Sequence, residues 1–442
     1  MKNIVIRLNN YIKIFYTVLV VLLIGCKKES VIMDQSILDP AESTPNILFI
    51  IADDLGKDAI NGFSEGQIKP TTPNIDAIRN SGITFVNFWS YPTCSPTRAS
   101  IISGKYSYRT GVKWAGDELD SSEMSLQKFI NKETNETYAT ALVGKWHLSG
   151  SNSSFNPEVF GIDYYAGLIR GEVQSYYNWV LTEDGIGSFV SDYTTERFTD
   201  LAINWIQKQE KPWFMWLAYN APHTPFHVPP NEMHSQGNLP DYMEGMDETP
   251  YFMAAIEAMD YQIGRLLDSI PEDKKENTII IFIGDNGSPN QVAQSPYTYF
   301  TAKGSLNQGG VNVPMFISGK GVSRRGNDTN LVTSTDLFAT ISEIAGVHVN
   351  NINDSKSFKS LLTESIGGVR NFQYAEKDDG DNNLWAISNG SYKIIENENG
   401  TKEFYNLIDD PYEEINLLNR SLSSSESNAK IELETELLNI RK

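Results

Sequence analysis

Four runs of the chain are apolar at nearly every position and closed by turn-forming residues: ILFIIA (47–52), YATALVG (138–144), WFMWLAY (213–219) and TIIIFIG (278–284). A strand with one face in water alternates between apolar and polar, so unbroken runs of this length read as parallel strands covered on both sides. Between them, TPNIDAIRNSG (72–82), TTERFTDLAINWIQKQ (194–209) and FMAAIEAMDYQIGRLLDSI (252–270) repeat apolar residues at intervals of three and four, the helical period. The alternation predicts an α/β protein with a large, mostly parallel central sheet and helices on both faces. PMFISG (314–319) adds a short strand, and TDLFATISEIAG (335–346) a helix closed by Gly346. After about residue 350 the pattern changes: LWAISNGSYKIIENENGTKEFYNL (384–407) alternates like a hairpin around Asn-Gly pairs at 389–390 and 399–400, and 423–442 reads as a closing helix. The expected organisation is a catalytic-sized α/β domain over 45–350 and a small C-terminal α+β domain over 351–442, an antiparallel sheet packed with a helix.

Composition narrows the class. The chain has 442 residues, 40% of them hydrophobic, which suits one large core with a smaller one appended. Its 36 Lys and Arg stand against 56 Asp and Glu, a formal charge of -20. Such a field repels nucleic acid, which is excluded as a partner. A polyanionic substrate remains compatible, because salt screens distant charges beyond roughly 8 Å, but its pocket must carry its own cations.

Residues 1–13 are polar and basic, 14–25 (IFYTVLVVLLIG) are apolar, and Cys26 follows directly. The apolar run falls short of the ~20 residues of a membrane-spanning helix, so residues 1–25 read as a cleaved signal peptide. Leu23-Ile24-Gly25-Cys26 resembles a bacterial lipobox, which implies lipidation at Cys26, a tether over 26–44, and an exported protein lipid-anchored to a bacterial membrane. Cleavage removes three basic residues and no acid, taking the charge to -23. Of the two cysteines, only Cys94 then remains free, so the mature chain forms no internal disulfide.

Asp53 and Asp54 follow the first buried run, and Asp285 and Asn286 follow the fourth. In open α/β sheets the carboxyl ends of strands form the functional edge. Three carboxylates and an amide oxygen converging there need a cation to offset their repulsion, and all-oxygen ligation favours Ca²⁺ or Mg²⁺ over zinc. Either pair alone also suits an Asx turn closing a strand; both at equivalent positions favour metal.

Cys94-Ser95-Pro96-Thr97-Arg98, continued to Gly104, opens an expected short helix. This run resembles the Cys-x-Pro-Ser/Thr-Arg signature of formylglycine-dependent sulfatases in the alkaline phosphatase superfamily. Other motifs follow in that family's order: Ile50 to Asp54, Gly144-Lys145-Trp146-His147, Ala221-Pro222-His223-Thr224-Pro225, Asp285-Asn286-Gly287, Lys303-Gly304 ahead of Pro314, and Phe404-Tyr405-Asn406-Leu407 with Asp410-Pro411 and Asn416-Leu417. The resemblance covers about residues 45–418. It departs from the family pattern at Ser149, at Gln308, and at Asn312, which replaces a usual Arg.

The resemblance implies that a formylglycine-generating maturation enzyme oxidises Cys94 to formylglycine, whose hydrate attacks sulfur in line with help from the cation. It implies Asp53, Asp54, Asp285, Asn286 and residue 94 as metal ligands. Lys145, Lys303 and His223 would surround the sulfate and leaving oxygens, Arg98 would bond the geminal diol, and His147 would act as the base that releases sulfate. The expected activity is hydrolysis of sulfate esters on a sulfated poly- or oligosaccharide. Two rivals are a phosphonate monoester or phosphodiester hydrolase of the same superfamily and a non-catalytic surface glycan-binding lipoprotein, although a binding module has no use for a convertible cysteine. His227, His234 and His348 read as structural, with His227 near enough to His223 to line the pocket. Trp146, Trp213 and Trp216 read as core, and Tyr176, Tyr177 and Trp179 as sugar-stacking candidates. The loops at 105–123, 150–192 and 226–250 carry no shared pattern.

Overall fold

The computed structural model describes residues 44–365 and 367–442; the expected signal peptide, Cys26 and the tether up to residue 43 lie outside the described residues. In chain order the strands are β1 (Asn46–Ala52), β2 (Ile83–Phe85), β3 (Phe88–Trp89), β4 (Ala139–Lys145), β5 (Tyr164–Leu168), β6 (Trp179–Glu183), β7 (Ile186–Val190), β8 (Trp213–Ala218), β9 (Thr278–Gly284), β10 (Met315–Gly319), β11 (Gly326–Asp328) and β12 (Val332–Thr333). They are followed by β13 (Asn351–Ile352), β14 (Ser355–Lys356), β15 (Gln373–Asp378), β16 (Asn383–Ser388), β17 (Tyr392–Asn397) and β18 (Lys402–Asn406). Ten of them make one sheet in the order β11-β2-β10-β9-β1-β8-β4-β5-β6-β7. Its middle, from β9 to β5, is parallel, while β10 pairs antiparallel to β9 and to β2, and β5-β6-β7 is antiparallel.

β1 lies at the seam of two cores. Ile47, Phe49 and Ile51 face the helices Cys94–Ser103, Leu126–Glu133 and Leu337–Ile344. Leu48, Ile50 and Ala52, one step out of phase, face Pro73–Ser81, Thr194–Gln207 and Thr249–Ser269. Alternation of side chains along a strand therefore feeds both layers, and each large buried side chain contributes about 1.5–3 kcal/mol of hydrophobic stabilisation. The expected strands and the expected helices all form, with ends shifted by a few residues; Gly346 sits at φ 93° just past its helix. Gly144 is required where β4 meets β8: at φ 109°, a Cβ there would stand 1.9 Å from the Ala218 carbonyl oxygen.

The alternating C-terminal segment becomes three strands of a four-stranded antiparallel sheet, β15-β16-β17-β18, turning at Gly390 and Gly400. One face packs Ala375, Ala386, Ile395 and Tyr405 onto Trp89, Leu306 and Val311. The other face is covered by the helix Ser424–Ile440 through Leu433 and Leu437. Phe358, Leu361 and Leu362, ahead of this sheet, belong to the main core. Among the described residues, no helix is long and apolar enough to cross a membrane.

Candidate active site

The central pair of strands builds the floor. β1 and β9 are in register from Asn46–Thr278 to Ala52–Gly284, so Asp53-Asp54 and Asp285-Asn286 leave the sheet side by side. Asp54 adopts φ 69°, and its backbone N–H donates to Asp285 Oδ1 at 3.0 Å. Cys94 begins the helix that lands on this floor and is 1% exposed. Thr97 Oγ1 donates to the Asp285 carbonyl at 2.7 Å. Arg98 donates through Nε and Nη2 to Asp285 Oδ2 at 3.2 and 2.7 Å, and through Nη1 to the Lys145 carbonyl at 2.7 Å. The guanidinium thus ties the cysteine's helix to the ends of β9 and β4 at once.

The remaining predicted residues converge on the same place. Lys145, at the end of β4, donates to Asp53 Oδ2 at 2.5 Å and lies 3.5 Å from Cys94 Sγ. His147 follows at φ 58°, with Nδ1 3.1 Å from Cys94 Sγ. Lys303 donates to Asp54 Oδ2 at 2.6 Å, and His223 Nε2 lies 3.7 Å from the same oxygen. Asn286 Nδ2 donates to Asp54 Oδ1 at 2.8 Å.

Burial sets the protonation states first, and neighbouring charge then divides the acids. Asp53 is pushed up by burial more than Lys145 pulls it down, and Asp285 is pushed up to about 6 by burial and the charge of Asp53 against Arg98. Asp54 is equally buried, but Lys303 and His223 hold it well below the usual carboxylate range. Burial raises the Cys94 thiol, so an unmodified cysteine here keeps its proton. His147 is held neutral by burial and by Lys145, and His223 is lowered to about 4 by burial despite Asp54.

The donor set fits a hard divalent cation. Ligand atoms of Asp53, Cys94 and Asp285 lie within 4.8 Å of one another, as do those of Asp53, Asp54 and His223. Asp53 Oδ1 and Asn286 Oδ1 are buried without a hydrogen-bond partner. Buried polar atoms are ordinarily paired, so two orphaned oxygens in one carboxylate cluster are ligand positions that the protein leaves for another group.

Several supporting residues were not foreseen. Ser95 Oγ donates to the His147 carbonyl at 2.8 Å and accepts from Gly116 N–H at 3.0 Å, fixing the His147 backbone. Gly171 lies against the His147 ring, where a Cβ would come within 2.1 Å of Nε2. Tyr176 corrects an expectation: it is 1% exposed, its hydroxyl donates to the carbonyls of Asn220 and His223 at 3.0 and 2.6 Å, and its ring stacks on His227 at 3.6 Å. It holds the His223 loop and cannot stack on a sugar. Trp179 is also buried, packed edge-on against Phe198, whereas Tyr177 remains 39% exposed. Trp146, Trp213 and Trp216 are core, as expected.

The departures from the family pattern engage other protein groups. Asn312 Oδ1 accepts from Lys57 Nζ at 2.7 Å, and Asn312 Nδ2 donates to Gln308 Oε1 at 2.8 Å. Lys57, buried and lowered to about 8 by that burial, supplies a cation beside the position that lacks Arg. Ser149 is buried and donates to the Ile169 carbonyl at 3.2 Å.

A parallel-centred α/β sheet that presents a carboxylate cluster to a helix-borne cysteine, with a small antiparallel sheet alongside, defines the sulfatase fold of the alkaline phosphatase superfamily. The chain belongs to the Sulfatase family, which it matches over residues 45–347. It is 26% identical over 364 residues to the uncharacterized sulfatase YdeN of Escherichia coli (strain K12), covering 69% of this chain and 63% of YdeN. With the arylsulfatase of Klebsiella aerogenes it shares 24% identity over 441 residues, covering 76% of this chain and 94% of that one. Among solved structures, Ps i-CgsB in complex with k-i-k-neocarrahexaose superposes with a TM-score of 0.74 at 23% identity, covering 89% of this chain and 92% of that one.

Proposed function

We propose that the protein is a sulfatase that hydrolyses sulfate esters on a sulfated poly- or oligosaccharide, with Cys94 converted to formylglycine and a divalent cation, Ca²⁺ ahead of Mg²⁺, held by Asp53, Asp54, Asp285, Asn286 and residue 94. The observation that carries this reading is the convergence of a cysteine in the Cys-x-Pro-Thr-Arg run on two orphaned oxygens and three lysine and histidine-bearing loops. Membership of the Sulfatase family supports the reaction, and the oligosaccharide in the structure of Ps i-CgsB supports the glycan.

When present, the cation withdraws charge from the attacking and sulfate oxygens, and formylglycine supplies a nucleophile that can later release its sulfate without attack of water at sulfur. The protein's own groups do the rest. Lys145 and Lys303 place fixed positive charge where the sulfate oxygens gather charge in the transition state. His147, neutral and with Nδ1 facing residue 94, is placed to take a proton from the group there. His223 Nδ1 lies 2.8 Å from the Thr224 carbonyl, an arrangement that puts its proton on Nδ1 and leaves Nε2 bare. Lys303 Nζ, 23% exposed on its side chain and held protonated by Asp54, is therefore the group that can donate a hydrogen bond to the departing oxygen as its charge develops. Arg98 orients residue 94 by fixing its helix to Asp285.

The lipobox-like residues 23–26 support an exported, lipid-anchored protein, a setting that suits glycan fragments arriving from outside. The test is mass spectrometry of the tryptic peptide Asn80 to Arg98 from protein made in its native host. An aldehyde or its hydrate at 94 is expected; a thiol in active material would overturn the mechanism. Rates on an aryl sulfate and a matched phosphodiester then decide sulfur against phosphorus, with sulfate expected to lead.

A further inference from the structure

Beside Lys303 the site opens into a cavity of about 670 Å³ walled by three parts of the chain: the loop at Trp114, the segment from Asn290 to Asn307, and the β15–β18 sheet. Its wall combines polar and aromatic side chains. Ser305, Asn307 and Asn382 supply the polar ones. Tyr299 and Phe300, 55% and 83% exposed, meet edge to face at 5.3 Å, a costly exposure for an aromatic pair with nothing to cover. Aromatic faces beside hydroxyl and amide side chains match a pyranose, which has apolar C–H faces and a rim of hydroxyls. Lys303 belongs to both the cavity and the catalytic centre, and Thr93 of the wall directly precedes Cys94, so an occupant here is joined to the group that carries the sulfate.

The charges decide which sugar fits. The ionisable groups of the wall are Lys303, Lys377, Asp379 and Glu403. Lys303 is engaged by Asp54, and Lys377 by Asp379 at 3.2 Å, with its ammonium 5.1 Å above the Trp114 ring. Glu403 accepts from Tyr405 Oη at 3.0 Å and has no cation of its own in the wall. Among the described residues of the wall, no free positive charge is left for a second anionic group, and one carboxylate repels it.

We propose that this cavity receives an uncharged sugar unit adjoining the sulfated one, so that the protein selects glycans of low sulfate density. The proposal rests on the sulfatase reading. Matured full-length protein and its Trp114→Ala, Phe300→Ala and Glu403→Gln variants are assayed on 4-nitrophenyl sulfate, on sulfated monosaccharides, and on a panel of oligosaccharides bearing one sulfate or sulfates on adjoining sugars. We expect the best singly sulfated oligosaccharide to exceed its monosaccharide in kcat/KM by about tenfold, an advantage that Trp114→Ala and Phe300→Ala remove through KM. Glu403→Gln narrows the discrimination against the densely sulfated probes. An oligosaccharide advantage that is absent, that survives both aromatic variants, or that favours adjoining sulfates overturns the proposal while leaving the sulfatase reading in place. Loss of all turnover, 4-nitrophenyl sulfate included, in protein shown to carry formylglycine overturns both.

Discussion

Two buried charge clusters in this protein look alike in composition and differ in completeness. Around Asp336, Oδ1 accepts from Lys356 N–H at 2.8 Å and Arg370 Nη2 at 2.5 Å, while Oδ2 accepts from Thr333 N–H and Oγ1 and from Arg370 Nε at 2.5 Å. Arg370 also reaches Tyr106 Oη at 3.1 Å and the Asp354 carbonyl. One acid meets one cation and no oxygen is idle. Around Asp53 and Asp285 the same currency of carboxylates, lysine and arginine leaves Asp53 Oδ1 and Asn286 Oδ1 unbonded. A saturated cluster is a clasp that holds loops together; an unsaturated one keeps its shape for something that is not protein.

Breaking each cluster should therefore have different signatures. The largest effect is expected for Cys94→Ala, which should lower turnover by at least about 10³-fold while circular dichroism stays native and melting temperature falls by no more than chelation lowers it in wild type, since residue 94 is one of five proposed ligands. Asp336→Asn leaves the Arg370 charge buried and unpaired, and should lose about 3–5 kcal/mol of stability in a denaturant titration. Its kcat, measured well below its melting point, should change by less than about threefold. Chelation should lower activity and melting temperature together in wild type and in Asp336→Asn, because an ion bound only to the native state adds about 2.7 kcal/mol at a hundredfold excess over its Kd. In Asp53→Asn that chelator-dependent shift should shrink or vanish.

The smallest expected effect concerns pH. His227, stacked on Tyr176 and bonded through Nε2 to Tyr193 Oη at 3.0 Å, is lowered to about 4 by burial. Between pH 6.5 and about 4 the unfolded chain binds the proton and the folded chain refuses it, so stability falls as pH falls through that window. His227→Gln should flatten this part of the stability profile, as read by melting temperature against pH; an unchanged slope would show that His227 is not the group responsible.

The comparison also explains what could be read without coordinates. β1, β4, β8 and β9 are legible because burial on both faces forbids polar positions, and the residues directly after β1 and β9 inherit a predictable place at the sheet edge. β5, β6 and β7 were hidden within the unpatterned stretch 150–192; β7 is an edge strand exposed at Ile186 and Phe189, so no burial constraint marks it. Within the site, Lys145, His147, His223 and Lys303 follow from motif order. Ser95, Gly171 and Tyr176 do not, because each acts through a backbone atom or ring from a distant segment, and nothing in local spacing encodes that meeting. Tyr176 misled for the same reason: an aromatic in an irregular stretch resembles a sugar platform until its neighbours are known.

The hydrogen bond from Thr97 to the Asp285 carbonyl joins residues 188 positions apart. A chain made from its amino terminus at about 5–20 residues per second lengthens for on the order of ten to forty seconds after position 97 before that carbonyl exists. Throughout that interval the segment at Cys94 has no floor to dock on, and the thiol that ends 1% exposed is open to chemistry. Topology thus acts as a clock: on the proposed conversion of Cys94, the wide separation of the two strand ends would leave the thiol open to a modifying enzyme until closure of the sheet ends the opportunity.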